Sequence, residues 1–234
     1  MAGFDSYVVA LLHGEGTDNE SVFTDETGRI WSTPVQAVTD TAQYKFGSSS
    51  IYINNGDDNW VATADSADFY MAAGDATIDC WFRLEYTPND DEISNIWSQV
   101  DSGDQEDYVQ CGIYNDDGDL YLFFTIGIND IYVMDCRSVE TINTDTWYHV
   151  ACVKEGNNYY LFLDGVLVDS DVYSTGWANI SGEFRIGSWH LYSILEGWID
   201  EFRISKGIAR WTSNFTPPTE AYSALEQPYW FFGT

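Results

Sequence analysis

A carboxylate in the middle of an apolar strand needs a chemical explanation. The run Trp198-Ile-Asp-Glu-Phe-Arg-Ile204 places Asp200 there, with Glu201 beside it. Burying such a charge is costly unless a cation or hydrogen-bond donors compensate it. An ion pair with Arg203 or Arg185 would compensate it, and so would a bound metal ion. Sugar binding is the second chemistry on offer, because it needs flat apolar rings beside planar polar side chains. Trp97, Tyr108, Tyr121, Phe123, Trp189 and Tyr192 supply rings, and Asp101, Asp104 and Asp107 lie in an acidic loop nearby. Aromatics alternating along strands also pack between sheets, which is the competing reading for each ring. Trp189 and Tyr192 precede the last strand in a loop and are the better candidates for exposed rings.

Catalysis finds little support. His13, His149 and His190 are scattered, and neither Asp79 nor the pair Asp200-Glu201 has a carboxylate two residues away on its own face. No Ser/His/Asp or Cys/His set, glycine-rich phosphate loop or zinc spacing can be assembled. The chain reads as a binding protein and not an enzyme.

The surface that carries these residues is strongly acidic. Among 234 residues, 38 Asp and Glu face 9 Lys and Arg, a formal charge of −29. Such a surface repels phosphate backbones and anionic membranes, so nucleic acid is excluded as a partner. Many Asp residues sit beside Asn and Gly in loops, where they either keep the protein solvated or bind hard cations through oxygen. No apolar stretch is long enough to span a bilayer. The start, Met1-Ala-Gly-Phe-Asp-Ser-Tyr7, lacks the basic region and apolar run of a secretory leader. Cys80, Cys111, Cys136 and Cys152 fall in strands without zinc-like spacing, and are expected as buried thiols unless the chain meets an oxidising compartment. Sequons at Asn19, Asn179 and Asn214 matter only in a glycosylating host.

Strand signals recur at short intervals between turn residues. Strands are expected at 7–12, 43–46, 50–53, 60–63, 76–85, 93–100, 108–114, 119–126, 147–154, 159–163, 166–169, 184–187 and 198–205. One helical turn is expected within 65–73. The Asp117-Gly118 and Asp164-Gly165 dipeptides favour positive φ and predict hairpins. Short antiparallel strands with these turns indicate an all-β fold, a two-sheet antiparallel sandwich or jelly roll of one domain. Residues 217–234 form an aromatic tail after a domain of 1–216. Its Tyr229-Trp-Phe-Phe232 run is expected to dock on the sandwich or on a neighbouring subunit.

Four segments in order carry a family resemblance. They are Leu11-Leu-His-Gly-Glu-Gly16 leading to Thr24-Asp-Glu-Thr-Gly28; Ala76-Thr-Ile-Asp-Cys-Trp-Phe-Arg83; Asp145-Thr-Trp-Tyr-His-Val-Ala-Cys-Val153 with Tyr160-Leu-Phe-Leu-Asp-Gly-Val-Leu-Val168; and Phe184-Arg-Ile-Gly187 followed by Gly197 to Ser205. The chain thereby resembles the laminin-G-like, concanavalin A-like jelly rolls. In that family the closing strand's acidic residue commonly helps hold a structural calcium. The resemblance therefore implies a calcium site joining Asp200 with Glu15 and Asp25, with Asp18 as a fourth ligand and Glu201 as a weaker one. Carbonyls of Gly14 or Gly28 would complete the ~6–8 oxygens calcium takes. His13-Gly14 departs from the aromatic and aspartate that many relatives carry there.

The alternating Glu-x-Asp-x-Glu pattern of hydrolases of this broad fold is absent. The ending Arg203 to Pro218 is similar to bacteriophage and marine bacterial surface proteins, which implies a virion or extracellular surface setting. The resulting expectation is a non-catalytic lectin or adhesion domain that recognises carbohydrate or a protein partner. The alternative is a structural virion component that assembles with itself or its neighbours, and a glycoside hydrolase or lyase ranks third.

Overall fold

The computed structural model describes residues 5–33, 37–54, 59–72, 74–103, 105–177, 179–189 and 193–222. Among them lie fourteen strands and no helix. In chain order they are β1 Val8–Leu12, β2 Val38–Asp40, β3 Ser50–Ile53, β4 Val61–Thr63, β5 Ala76–Leu84, β6 Ile93–Val100, β7 Tyr108–Asp116, β8 Asp119–Ile128, β9 Ile131–Val139, β10 Trp147–Glu155, β11 Asn158–Leu163, β12 Val166–Val172, β13 Phe184–Ile186 and β14 Gly197–Lys206. They form two antiparallel sheets. One has eight strands in the order β12-β11-β10-β5-β14-β3-β2, with β1 also paired to β14, and the other has six in the order β4-β13-β6-β7-β8-β9. The expected all-β jelly-roll sandwich is the observed architecture.

Alternation along the strands builds the core between the sheets. Ile78, Cys80, Phe82 and Leu84 of β5 face Val109, Cys111 and Ile113 of β7 and Leu122, Phe124 and Ile126 of β8 within one apolar cluster. All four cysteines are buried free thiols. Four elements differ from the sequence expectations. Residues 43–46 form bends and not a strand, 65–69 make only a turn closed by Phe69 N–H to Ser66 C=O (3.0 Å), β2 was not foreseen, and neither was β9. Its hairpin turns on Asn129 and Asp130, both with positive φ (50° and 59°), so the usual glycine signal is missing.

Two covers lie outside the sheets. The segment 207–222 crosses the outer face of the eight-stranded sheet, where Trp211 and Phe215 stack on one another (centroids 4.0 Å apart) over Ala151, Val153 and Phe162. The described start of the expected tail, up to Tyr222, thus packs on its own sandwich, and Tyr229–Phe232 lie outside the described residues. At the open side of the sandwich, β12 caps the edge of β9: Asp169 accepts from Arg137 N–H (2.7 Å) and Asp171 from Asp135 N–H (2.9 Å).

Candidate functional site

The awkward carboxylate sits at a change of strand pairing. Before it, Gly197–Ile199 of β14 pair with β3, and after it Phe202–Ser205 pair with β1. A bulge between Asp200 and Arg203 fills the gap, with Glu201 at φ 52°. There Asp200 Oδ2 accepts the backbone N–H groups of Lys45 (2.7 Å) and Phe46 (3.0 Å), while Oδ1 has no partner among the described residues. Burial pushes its carboxyl up to about 7 against the pull of those donors. Arg203 is spent on Asp79 instead, at 3.0–3.1 Å, and Arg185 on Glu183.

The oxygens of the expected calcium ligands already have donors within the protein. Asp25 accepts from Leu11 N–H, from Thr27 N–H and hydroxyl (both 2.7 Å), and from the Trp31 indole (2.7 Å). Glu15 accepts from Ser48 N–H (2.8 Å) and hydroxyl (2.5 Å), and Asp18 from Thr41 and Asn19. Glu201 joins His13 (2.8 Å) to Tyr222 N–H (2.6 Å). Each carboxylate is taken up by a separate set of donors, most of them on other segments of the chain. Among the described residues no three His, Cys, Asp or Glu side chains are grouped to hold a metal, so this set does not fit one shared ion as it stands.

Beneath Tyr222 a charged cluster fills the outer face of β5, β10 and β14. Asp79 is paired with Arg203, touches His149 Nε2 (3.4 Å), and accepts from the Tyr222 hydroxyl. Burial would raise its pKa, but Arg203 and His149 outweigh that and hold the carboxyl well below the usual range. Asp79 and His149 are wholly buried, so this Asp–His–Tyr contact is closed to substrate and acts as a clasp for the 207–222 segment.

The outer face of the six-stranded sheet is the better candidate. Because Val109, Cys111 and Ile113 point into the core, Tyr108, Gln110, Gly112 and Tyr114 of β7 point out. By register they are flanked by Gly127, Thr125, Phe123 and Tyr121 of β8, and beyond these by Tyr132, Asp135, Arg137 and Val139 of β9. Two glycines let rings lie along this sheet. A Cβ at Gly127 would meet the Tyr108 ring at 2.1 Å, and one at Gly112 the Phe123 ring at 2.9 Å. Tyr108 stands edge-on to both Tyr132 and Trp189, with centroids 6.2 Å away in each case. Tyr132 is 50% exposed and Tyr108 only 7%. Burial, followed by Tyr132, raises the Tyr108 phenol. Polar atoms also point for partners here: Asn95 Oδ1, Thr125 Oγ1 and the Trp189 indole N–H are buried and unpaired among the described residues, and Asn95 donates to Gln110 (2.8 Å).

The residues proposed for sugar contact therefore separate. Tyr108, Trp189, Asp101 and Asp107 gather at the end of the sheet where β6 runs into β7. Asp101 N–H is bonded to Asp107 C=O (2.8 Å), and Asp107 caps Asn129 N–H (3.0 Å). Tyr121 lies at the opposite end beside Tyr114 (6.3 Å). Trp97 is not a surface ring at all: a bulge turns it into the core, stacked on Phe184 at 5.7 Å and 0% exposed. Phe123 is on the outer face but covered, with Arg137 5.9 Å above its ring. Asp104 and Tyr192 lie outside the described residues. Tyr132, Arg137 and Gln110 were missed. The glycines at outward positions opposite aromatics were the signal that could have found them.

Residues 55–210 match the family described as the concanavalin A-like lectin/glucanases superfamily. A search of the curated proteins finds no match. Among solved structures, domain 4 of the extracellular arabinanase AbnA from Geobacillus stearothermophilus, in complex with arabinotriose, superposes with a TM-score of 0.64 at 15% identity, covering 86% of this chain and 93% of that one. The binding domain of Paraclostridial Mosquitocidal Protein 1 gives 0.64 at 14% identity over 87% of this chain. The binding domain of botulinum neurotoxin DC, in complex with rat synaptotagmin II, gives 0.64 at 16% over 88%. This chain spans about half the length of each of those two toxin chains, 50% in both cases. At such identities the likeness is one of fold.

Proposed function

Since the chain belongs to the concanavalin A-like lectin/glucanases superfamily, we propose that it acts by binding carbohydrate, without catalysis, on the outer face of its six-stranded sheet. The observation that carries this reading is the Tyr108–Tyr132–Trp189 ring cluster, in which Tyr108 lies against Gly127 and the half-exposed Tyr132 stands beside the accessible side chains of Asp135 and Arg137. An exposed ring covers the C–H face of a sugar, and the accessible Asp135 and Arg137 side chains take its hydroxyls. The arabinotriose complex of one structural neighbour supports the reading. Glycoside hydrolysis requires two carboxylates flanking the scissile bond, whereas among the described residues Asp135 has no second carboxylate in its register row, where it stands beside Thr125 and Gln110. Screening the protein against immobilised neutral oligosaccharides tests the proposal, with saturable binding as the expected result.

A second reading is recognition of a protein, in assembly on a virion or at an extracellular surface. Exposed Ile131 and Val139 on β9, with Val166 and Val172 on the neighbouring β12, give that side of the sandwich an apolar character suited to a protein contact. The binding domain of botulinum neurotoxin DC, of which this chain spans half the length, is in complex with rat synaptotagmin II, and that supports a protein partner.

A further inference from the structure

Next to the ring cluster, at the same end of the sheet, the residues around Asp101 and Ser181 enclose a cleft of about 290 Å³. Val100, the register partner of Tyr108, forms part of its wall, so the two features adjoin. A close backbone approach shapes its floor: a Cβ at Gly182 would meet the Val100 carbonyl oxygen at 1.7 Å. Its polar groups are held in place. Asp101 accepts from Ser181 N–H (3.3 Å), from the Ser181 hydroxyl and from Gly103 N–H (3.1 Å). The Ser102 and Ser181 hydroxyls meet at 3.0 Å. Arg185 lies over the Trp60 ring (4.3 Å) and is neutralised by Glu183 at 2.6–2.7 Å.

The charge count of the cleft follows from these contacts. Arg185 and Glu183 cancel, whereas the donors to Asp101 among the described residues are all neutral. Among the described lining residues one carboxylate charge is left facing the cleft, on a protein whose formal charge is −29. An ionised carboxylate accepts well from sugar hydroxyls and repels a sugar acid or sulfate. We infer that the cleft is a subsite for an uncharged sugar residue, and that Asp101 excludes acidic glycans from it. This rests on the carbohydrate reading above and adds the class of sugar.

The test is a panel of neutral pentose and hexose trisaccharides, arabinotriose among them, set against uronate and sulfated counterparts. The neutral members should bind at least about fivefold more tightly at low salt, the factor that one exposed like charge ~4 Å away produces. Added NaCl should narrow that gap by screening. Asp101→Asn should close most of it with the fold intact, since the side chain is at the surface. Glu183→Gln should move preference further towards acidic sugars. Equal or tighter binding of the acidic members by the unaltered protein, or a gap unchanged in Asp101→Asn, overturns the inference while leaving the carbohydrate reading standing. Binding of none of the sugars overturns both.

Discussion

Asp200 illustrates how one residue type can suggest a metal ligand and serve as a staple. Its carboxylate reaches two backbone N–H groups that no strand pairs, because β3 has ended and β1 has yet to begin. Burial raises its folded pKa from 3.8 to about 7, so the folded state holds a proton that the unfolded chain releases near pH 4. The stability this proton supplies is fully present below pH 4 and is lost as pH rises through 7. Asp200→Asn removes the ionisation, and denaturant titrations should find the variant gaining on the unaltered protein between pH 4 and 8. The gain should be up to about 4 kcal/mol, and a pH-independent difference would contradict the assignment. Glu15, Asp18 and Asp25 are each committed to loop donors, so a chelator is expected to leave the melting temperature unchanged. A clear fall would show that these carboxylates regroup around calcium.

At the scale of elements, the acidic residues of β12 have a defined use. Asp169 and Asp171 occupy N–H groups on the edge of β9, a device that blocks strand addition by another molecule. Asp169→Val with Asp171→Val should leave the monomer folded and promote self-association, visible as an earlier, concentration-dependent peak in size-exclusion chromatography. An unchanged elution volume would count against edge protection. The elements also explain how far the sequence could be read. Strands with regular alternation and Asp-Gly turns, such as β10, β11 and β12, were legible because local chemistry decides them. β9 was not, because Asn129-Asp130 makes its turn without glycine, and 43–46 is a capping loop whose role depends on Asp200 far along the chain. Of the two readings open for Trp97, packing between the sheets is the one observed, and a bulge in β6 turns the ring into the core.

In the whole molecule, the two sheets are treated differently. The outer face of the eight-stranded sheet is closed by the 207–222 segment and its Asp79–Arg203–Tyr222 clasp, which leaves β5 buried along its full length. The outer face of the six-stranded sheet keeps a half-exposed ring, the accessible Asp135 and Arg137 side chains and an adjoining cleft. Family and fold follow from motifs spread over the chain. The site follows from register, which brings Tyr108, Tyr132 and Trp189 together from three separate segments and was beyond reach of the sequence alone. The most direct measurement is the affinity of the unaltered protein and of Tyr132→Ala for neutral trisaccharides, by titration calorimetry. Half-exposed on a surface strand, Tyr132 can be truncated without opening the core. Saturable binding that weakens about tenfold in the variant, the effect of a ~1.4 kcal/mol contact, is the predicted result. Sugar binding that is equally tight in both proteins would contradict the placement of the site on this face.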